Sequence, residues 1–308
     1  MESAIWSLVI FAVVLSVGPV GAWASDETII TSDPAVVEVY AAAGTVAWLT
    51  GGYTWPLPTA NAVVLPGGAS LDRSWTGPQA YDVDLGIDAY GFTVLTYARC
   101  EFPIGCSWHS HAANAWNAPD QRLSPPTRRG CLTLAVALWR ATTASVLGCP
   151  RATVVLARTG RRVQVVNVGG IGQFFTFDLA GDRVVIWGRV SEYTGVARVA
   201  RFGARPCHAD LFSLTDEPGN LEPNLTWSIA PAISTTRVAW GSAILGHGTD
   251  EQRLTVARLG PACSLHAIRT IVTRTPAGQR QATLALDGPW LCVAHGVTPG
   301  VVRLPADG

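Results

Sequence analysis

The stretch Trp108-His109-Ser110-His111 holds the residues of this chain whose types and spacing come nearest to chemistry. On an extended segment, residues i and i+2 project from the same face. His109 and His111 would then present two imidazoles together, the start of a Cu or Zn site. No third or fourth ligand is legible beside them, so no metal and no other cofactor is expected. The same stretch offers Trp108 and Trp116 with Asn114 and Asn117. Flat rings beside amides could stack on and hydrogen-bond a sugar or a peptide.

Other constellations are weaker. Asp82, Asp84 and Asp88 in DVDLGID hint at a calcium loop. The pattern fails, because Val83, Leu85 and Ile87 alternate as strand residues and the acids miss the required spacing. Asp178, Asp182, Glu192, Asp210 and Glu217 could meet across a central cleft as paired carboxylates for glycoside hydrolysis, but nothing selects a pair. Gly-x-Ser-x-Gly and His-Glu-x-x-His do not occur. No catalytic residue is assigned.

Seven cysteines punctuate the chain. In an exported protein they are disulfide candidates first, and the odd number leaves at least one unpaired. Cys100, Cys106, Cys131, Cys149, Cys207 and Cys263 are the candidates. Cys292, inside the apolar run WLCVAHG, is the expected buried free thiol. A Cys100–Cys131 bridge would pin the base of a long inserted loop at about 100–131; Cys106 could pair there instead, or with Cys149. Loops of that length are usually functional or disordered.

Export is the expectation because SAIWSLVIFAVVL is an apolar run of signal-peptide length and Ala22-Trp23-Ala24 supplies a cleavage site. Residues 1–24 would be removed, leaving a single domain over 25–308 that begins at Ser25. Glu2 is the one charged side chain ahead of the run, so an uncleaved anchor stays open as the alternative. No later apolar stretch approaches the ~20 residues that span a bilayer. Formal net charge is zero, which proposes no nucleic-acid partner. Every basic residue is arginine, and Gly and Pro are plentiful, as suits short strands joined by tight turns.

The elements that would position these residues repeat. Val46-Ala47-Trp48, Val94-Leu95-Thr96, Val185-Ile186-Trp187, Val238-Ala239-Trp240 and Cys292-Val293-Ala294 are anchors spaced roughly 45 to 55 residues apart, with one gap near twice that. A second run follows the core, as in GVARVARFG and RLTVARLG, and then a third such as CHADLFSL or CSLHAIRTI. Strand, turn, strand, loop, strand, loop, strand makes one four-stranded antiparallel sheet. Such a sheet buries its faces only by stacking on neighbours around an axis, and the Trp of the second strand can fill the wedge between sheets. The expected fold is all-β: a propeller of four-stranded blades, six in number, at roughly 47 residues each. The wide gap needs one more blade, with Cys131–Trp139 as the third strand of blade two and Ala152–Val168 as a shortened blade three. The chain ends after a third-strand motif, VVRLPADG, so Glu27–Ser32 is expected to pair there and close the ring.

The segments VDLGIDAYGFTVLTYARC and FDLAGDRVVIWGR carry a resemblance to exported six-bladed propellers of the TolB-like and WD40-like group. The Gly-His and Trp-Asp signatures of WD40 repeats are absent. The resemblance implies a secreted or periplasmic, monomeric binding or scaffold module for a protein, peptide or glycan. The alternative is a propeller hydrolase or lyase acting on a sugar or lactone at an axial pocket, with a metal.

Overall fold

The computed structural model describes residues 28–32, 36–50, 59–64, 71–74, 80–101, 105–112, 119–191, 194–215, 226–244, 249–276, 283–294 and 301–306. The expected signal segment, Asn114, Trp116, Glu192 and Glu217 lie outside them. Strand β1 (Thr28–Thr31) precedes a first meander of β2 (Val36–Ala42), β3 (Thr45–Thr50), β4 (Thr59–Val64) and β5 (Leu71–Ser74). The second comprises β6 (Ala80–Ile87), β7 (Thr93–Glu101), β8 (Gly105–Ala112) and β9 (Gln121–Leu123). The third comprises β10 (Leu132–Trp139), β11 (Thr142–Cys149), β12 (Ala152–Thr159) and β13 (Arg162–Val166). Next come β14 (Gln173–Ala180), β15 (Arg183–Arg189), β16 (Thr194–Arg201) and β17 (Cys207–Thr215). They are followed by β18 (Thr226–Ile233), β19 (Arg237–Ile244), β20 (Thr249–Leu259) and β21 (Leu265–Pro276). Strands β22 (Thr283–Asp287), β23 (Trp290–Ala294) and β24 (Val301–Pro305) complete the chain, and β1 pairs antiparallel with β24 as the closing strand.

Sheet order is β2 to β5, β14 to β17, β18 to β21, and β22-β23-β24-β1. The second and third meanders join into one eight-stranded sheet, through a single parallel bridge between Ile87 and Trp139. Gly86 permits that approach: a Cβ there would lie 2.1 Å from the Leu138 carbonyl oxygen. Each first strand contacts the first strands of both neighbours, from β2 through β6, β10, β14, β18 and β22 back to β2. This closed ring of antiparallel meanders is a β-propeller.

The core follows from the ring. Apolar residues alternate along half-buried strands, so each sheet has two faces to cover. The buried residues accordingly form separate clusters between adjacent sheets. Val39, Trp48 and Cys292 fill one such space; Ala47, Leu49, Leu85 and Leu95 fill the next; Val155, Phe177 and Ile186 fill another. Trp139 packs against clusters at three interfaces, including ones that are not adjacent. Its indole therefore lies at the axis and plugs the ring at the end where first strands turn into second strands. First strands also carry register shifts, between Val36 and Glu38, Tyr81 and Asp84, Thr133 and Ala135, Phe174 and Thr176, and Ile229 and Ala232. Bulges steepen local twist, as strands crowded around an axis require.

Three expectations need correction. The stretch 100–131 is not an inserted loop: it supplies the third and fourth strands of the second meander, β8 and β9. Leu132–Trp139 is thereby freed to begin the third meander, which has its full four strands. Cys131 bonds Cys149 and not Cys100, because β10 and β11 form a hairpin that sets their Cα atoms 4.3 Å apart. Finally, the Val-x-Trp alignment slips by one residue at β15, as the aligned anchors on β7 and β23 also do. Trp48 and Trp240 face the preceding sheet, whereas Trp187 faces the following one. A one-residue slip inverts the face.

Cys207–Cys263 is a second bridge among the described residues, and Cys106 is also disulfide-bonded. Cys292 is the buried free thiol, as expected, and burial pushes its pKa up to about 12. The disulfides are consistent with an oxidising, extracytoplasmic compartment. Among the described residues no helix is long and apolar enough to cross a membrane.

Arg198 fixes the connection from β13 to β14. It is 8% exposed, donates from Nη1 to the carbonyls of Val168 (2.7 Å) and Gly169 (2.8 Å), and pairs with Asp210 through Nε. Arg198→Met keeps the packing stem and strands both carbonyls. The expected loss is about 2 kcal/mol, read as a lower urea midpoint at unchanged slope.

Candidate functional site

His109 and His111 do share a face of β8, and the structure adds to them residues that sequence reading missed. Strand β8 pairs with β7, placing Tyr97 opposite His109 and Arg99 opposite Ser107. Asp120, just ahead of β9, joins from the other side. His111 Nδ1 lies 2.8 Å from Asp120 Oδ1, Arg99 Nη2 pairs with Asp120 Oδ2, and Arg99 Nη2 donates to Tyr97 Oη at 3.0 Å. Tyr97, which is fully buried, stacks on His109 at 5.6 Å between ring centroids. Ser107 Oγ lies 2.9 Å from His109 Nε2. Leu95, on the same face of β7, packs against Ala47 and Leu49, and Thr93 Oγ1 is 3.0 Å from Thr45 Oγ1. The network therefore lies on the side of β6–β9 that faces β2–β5.

Electrostatics divides its members. Burial works against the Asp120 carboxylate, but hydrogen bonds from Tyr97 and His111 and the Arg99 charge outweigh it and hold its pKa below the ordinary value. Burial and then the Arg99 charge lower the His109 pKa; Asp120 opposes this, and Arg122 adds to it. This favours the neutral imidazole of His109, which can accept a proton or a hydrogen bond. His111 has no exposed side-chain surface and is held by Asp120. The imidazoles are committed to different partners, and among the described residues no three His, Cys, Asp or Glu side chains gather as a metal site.

Trp108 is corrected as a ligand-stacking residue. It points to the opposite face of β8, is 5% exposed and packs with Ala98, Val136 and Leu123. Alternation along an eight-residue strand dictates this; a loop would not have. Among the described residues the acids do not converge either. Asp178 Oδ2 accepts from Ile233 N at 2.9 Å, Asp182 pairs with Arg201 at 2.6 Å, and Asp210 pairs with Arg198. Asp178 and Asp210 stand on the first and last strands of one sheet.

Asp88 has a different task from calcium binding. Its Oδ1 accepts from the backbone N–H groups of Tyr90 (2.9 Å) and Phe92 (2.8 Å), while Asp88 N donates to the Phe92 carbonyl at 2.8 Å. Gly91 supplies the φ of +91° that the turn needs. The pinned turn displays Tyr90 at 87% and Phe92 at 56% exposure. It lies at the end of the ring that Trp139 plugs, with the other turns between first and second strands.

No protein-family profile and no curated protein sequence matches the chain. Solved structures do. A puromycin hydrolase mutant complexed with PGG is similar at a TM-score of 0.50 and 11% identity, over 94% of this chain and 55% of that one. TolB from Acinetobacter baumannii gives 0.49 and 10%, over 80% and 55%. A TolB from Agrobacterium tumefaciens gives 0.47 and 8%, over 81% and 85%. The chain spans about half the length of the first two. At such identities the likeness bears on fold alone.

Proposed function

We propose that this chain is a secreted or periplasmic six-bladed propeller that acts as a non-catalytic binding or scaffold module for a protein, peptide or glycan. The observation that carries the reading is the Tyr90–Phe92 turn. Large exposed apolar side chains on a rigid backbone lose little entropy on contact and are typical anchors of an interface. The processed protein begins at Ser25 and is monomeric.

The test is binding of the mature protein to peptide and glycan arrays, repeated with Tyr90→Ser/Phe92→Ser. Retention by one ligand class, weakened about tenfold or more in the double variant, is expected. Binding that ignores the substitutions, or turnover of a sugar or lactone, overturns the reading. The hydrolase or lyase alternative has one observation in its favour. Glu38, on the first strand β2, has its pKa raised by burial, against the opposing hydrogen bond from the Tyr40 hydroxyl. A carboxyl so perturbed can serve as a general acid.

A further inference from the structure

The zero net charge conceals a strongly basic sector. Between Gln121 and Phe177 the chain carries eight arginines and not one acidic residue. This span contains the whole β10–β13 meander, whose last strand, β13, lies at the sheet edge. We propose that the outer edge of β13 receives an extended acidic peptide, which adds to this sheet as a fifth strand. This surface is separate from the Tyr90–Phe92 turn.

The backbone is prepared for such pairing. Gly160 and Arg161 form a two-residue turn with Gly160 at φ +59°, and Thr159 pairs with Arg162. In a two-residue hairpin that flanking pair is hydrogen-bonded, and bonded and non-bonded pairs then alternate. The N–H and C=O groups of Val163 and Val165 consequently point away from β12, toward the edge that no described strand pairs. The strand is held in place by its other face. Val166 is 2% exposed, and Gln164 Oε1 accepts from Gly203 N at 2.9 Å.

The side chains are unlike those of a protected edge. Val163 is 51% and Val165 67% exposed. Edge strands ordinarily carry charges there that discourage pairing; β17, by contrast, exposes His208 and Asp210. At the start of β13 and at the neighbouring turn the exposed charges are arginines. Arg161 and Arg162 are exposed at its start, and Arg205 is exposed next to the Gly203 turn. A second copy of this chain would bring two basic sectors together, and like charges oppose that. A polyanion without a peptide backbone would use the arginines and leave the open edge and the valines unused. An extended peptide alternating acidic and apolar residues uses all three features.

The test uses the full mature protein and a fluorescein-labelled peptide alternating Glu and Val, read by fluorescence anisotropy. Binding is expected to weaken about tenfold or more in Val165→Glu, which replaces an exposed side chain and leaves the melting temperature unchanged. The same peptide N-methylated on alternate amides keeps its charge and loses its strand-pairing edge; it too is expected to bind about tenfold more weakly or worse. Tyr90→Ser/Phe92→Ser leaves the probe affinity unchanged. Absence of probe binding, equal binding of both N-methylated registers and the parent, equal binding of heparin in competition, or dimerisation lost in Val165→Glu would each overturn the proposal.

Discussion

Replacing Cys207 and Cys263 together by serine lowers stability by about 4 kcal/mol, the entropy of leaving a loop of that length unclosed in the unfolded chain. The two residues are 56 apart in sequence, with Cα atoms at 5.8 Å. Cys207 opens β17, and Cys263, 2% exposed, sits in the turn between β20 and β21. The bond therefore ties adjacent sheets together near the rim, far from the first strands that pack around the axis. Non-reducing guanidinium titration of the double variant checks it. A shift below about 1 kcal/mol would mean that packing between the two sheets already restrains the chain.

The second large effect is on pH dependence. Burial raises the Asp178 pKa to about 6, while N–H groups of Ile233 and Leu179 pull the other way. The ordinary carboxyl value is 3.8. Between the two values the folded state binds the proton that the unfolded state has released, so stability falls as pH rises through this window. The contribution is present below the unfolded pKa and is lost above the folded one. The full shift corresponds to about 3 kcal/mol. Asp120, whose pKa is lowered, acts at more acid pH and in the opposite sense. Asp178→Asn is expected to flatten the difference curve between about pH 4 and pH 6. Parallel curves for wild type and variant would show that the carboxyl stays ionised across the window.

The ring was legible because its repeat rests on alternation. Five second strands announce themselves by the Val-x-Trp core or a near relative of it, and the open fourth-strand position after VVRLPADG points to the N-terminal strand. The second strand of the β10–β13 meander, TTASVLGC, did not, because Ala144 and Ser145 carry no aromatic marker. Reading 100–131 as a loop then followed from its prolines, histidines and asparagines. Of these, His109 and His111 stand on one face of β8, with Trp108 and Ser110 buried on the other. The site was half legible for the same reason. His109 and His111 stand out in a row of letters, but Tyr97, Arg99 and Asp120 reach them only across strand pairing, a relation of register and not of sequence distance. The basic sector was hidden by summation over the whole chain, since a net charge of zero says nothing of how charge is divided among blades.

Pairing of β1 with β24 has a consequence for biogenesis. Strand β1 acquires its partner only when β24 has been made, so the ring shuts only after every described sheet exists. Until β22 to β24 emerge, Val36, Val39 and Trp48 on one side, and Ile229 and Leu254 on the other, keep their apolar faces uncovered. Contacts of such sequence separation are slow to form, and waiting edges are open to aggregation. Completion is thus a late event, in which a nearly finished arc of sheets must stay unclumped until its two ends meet.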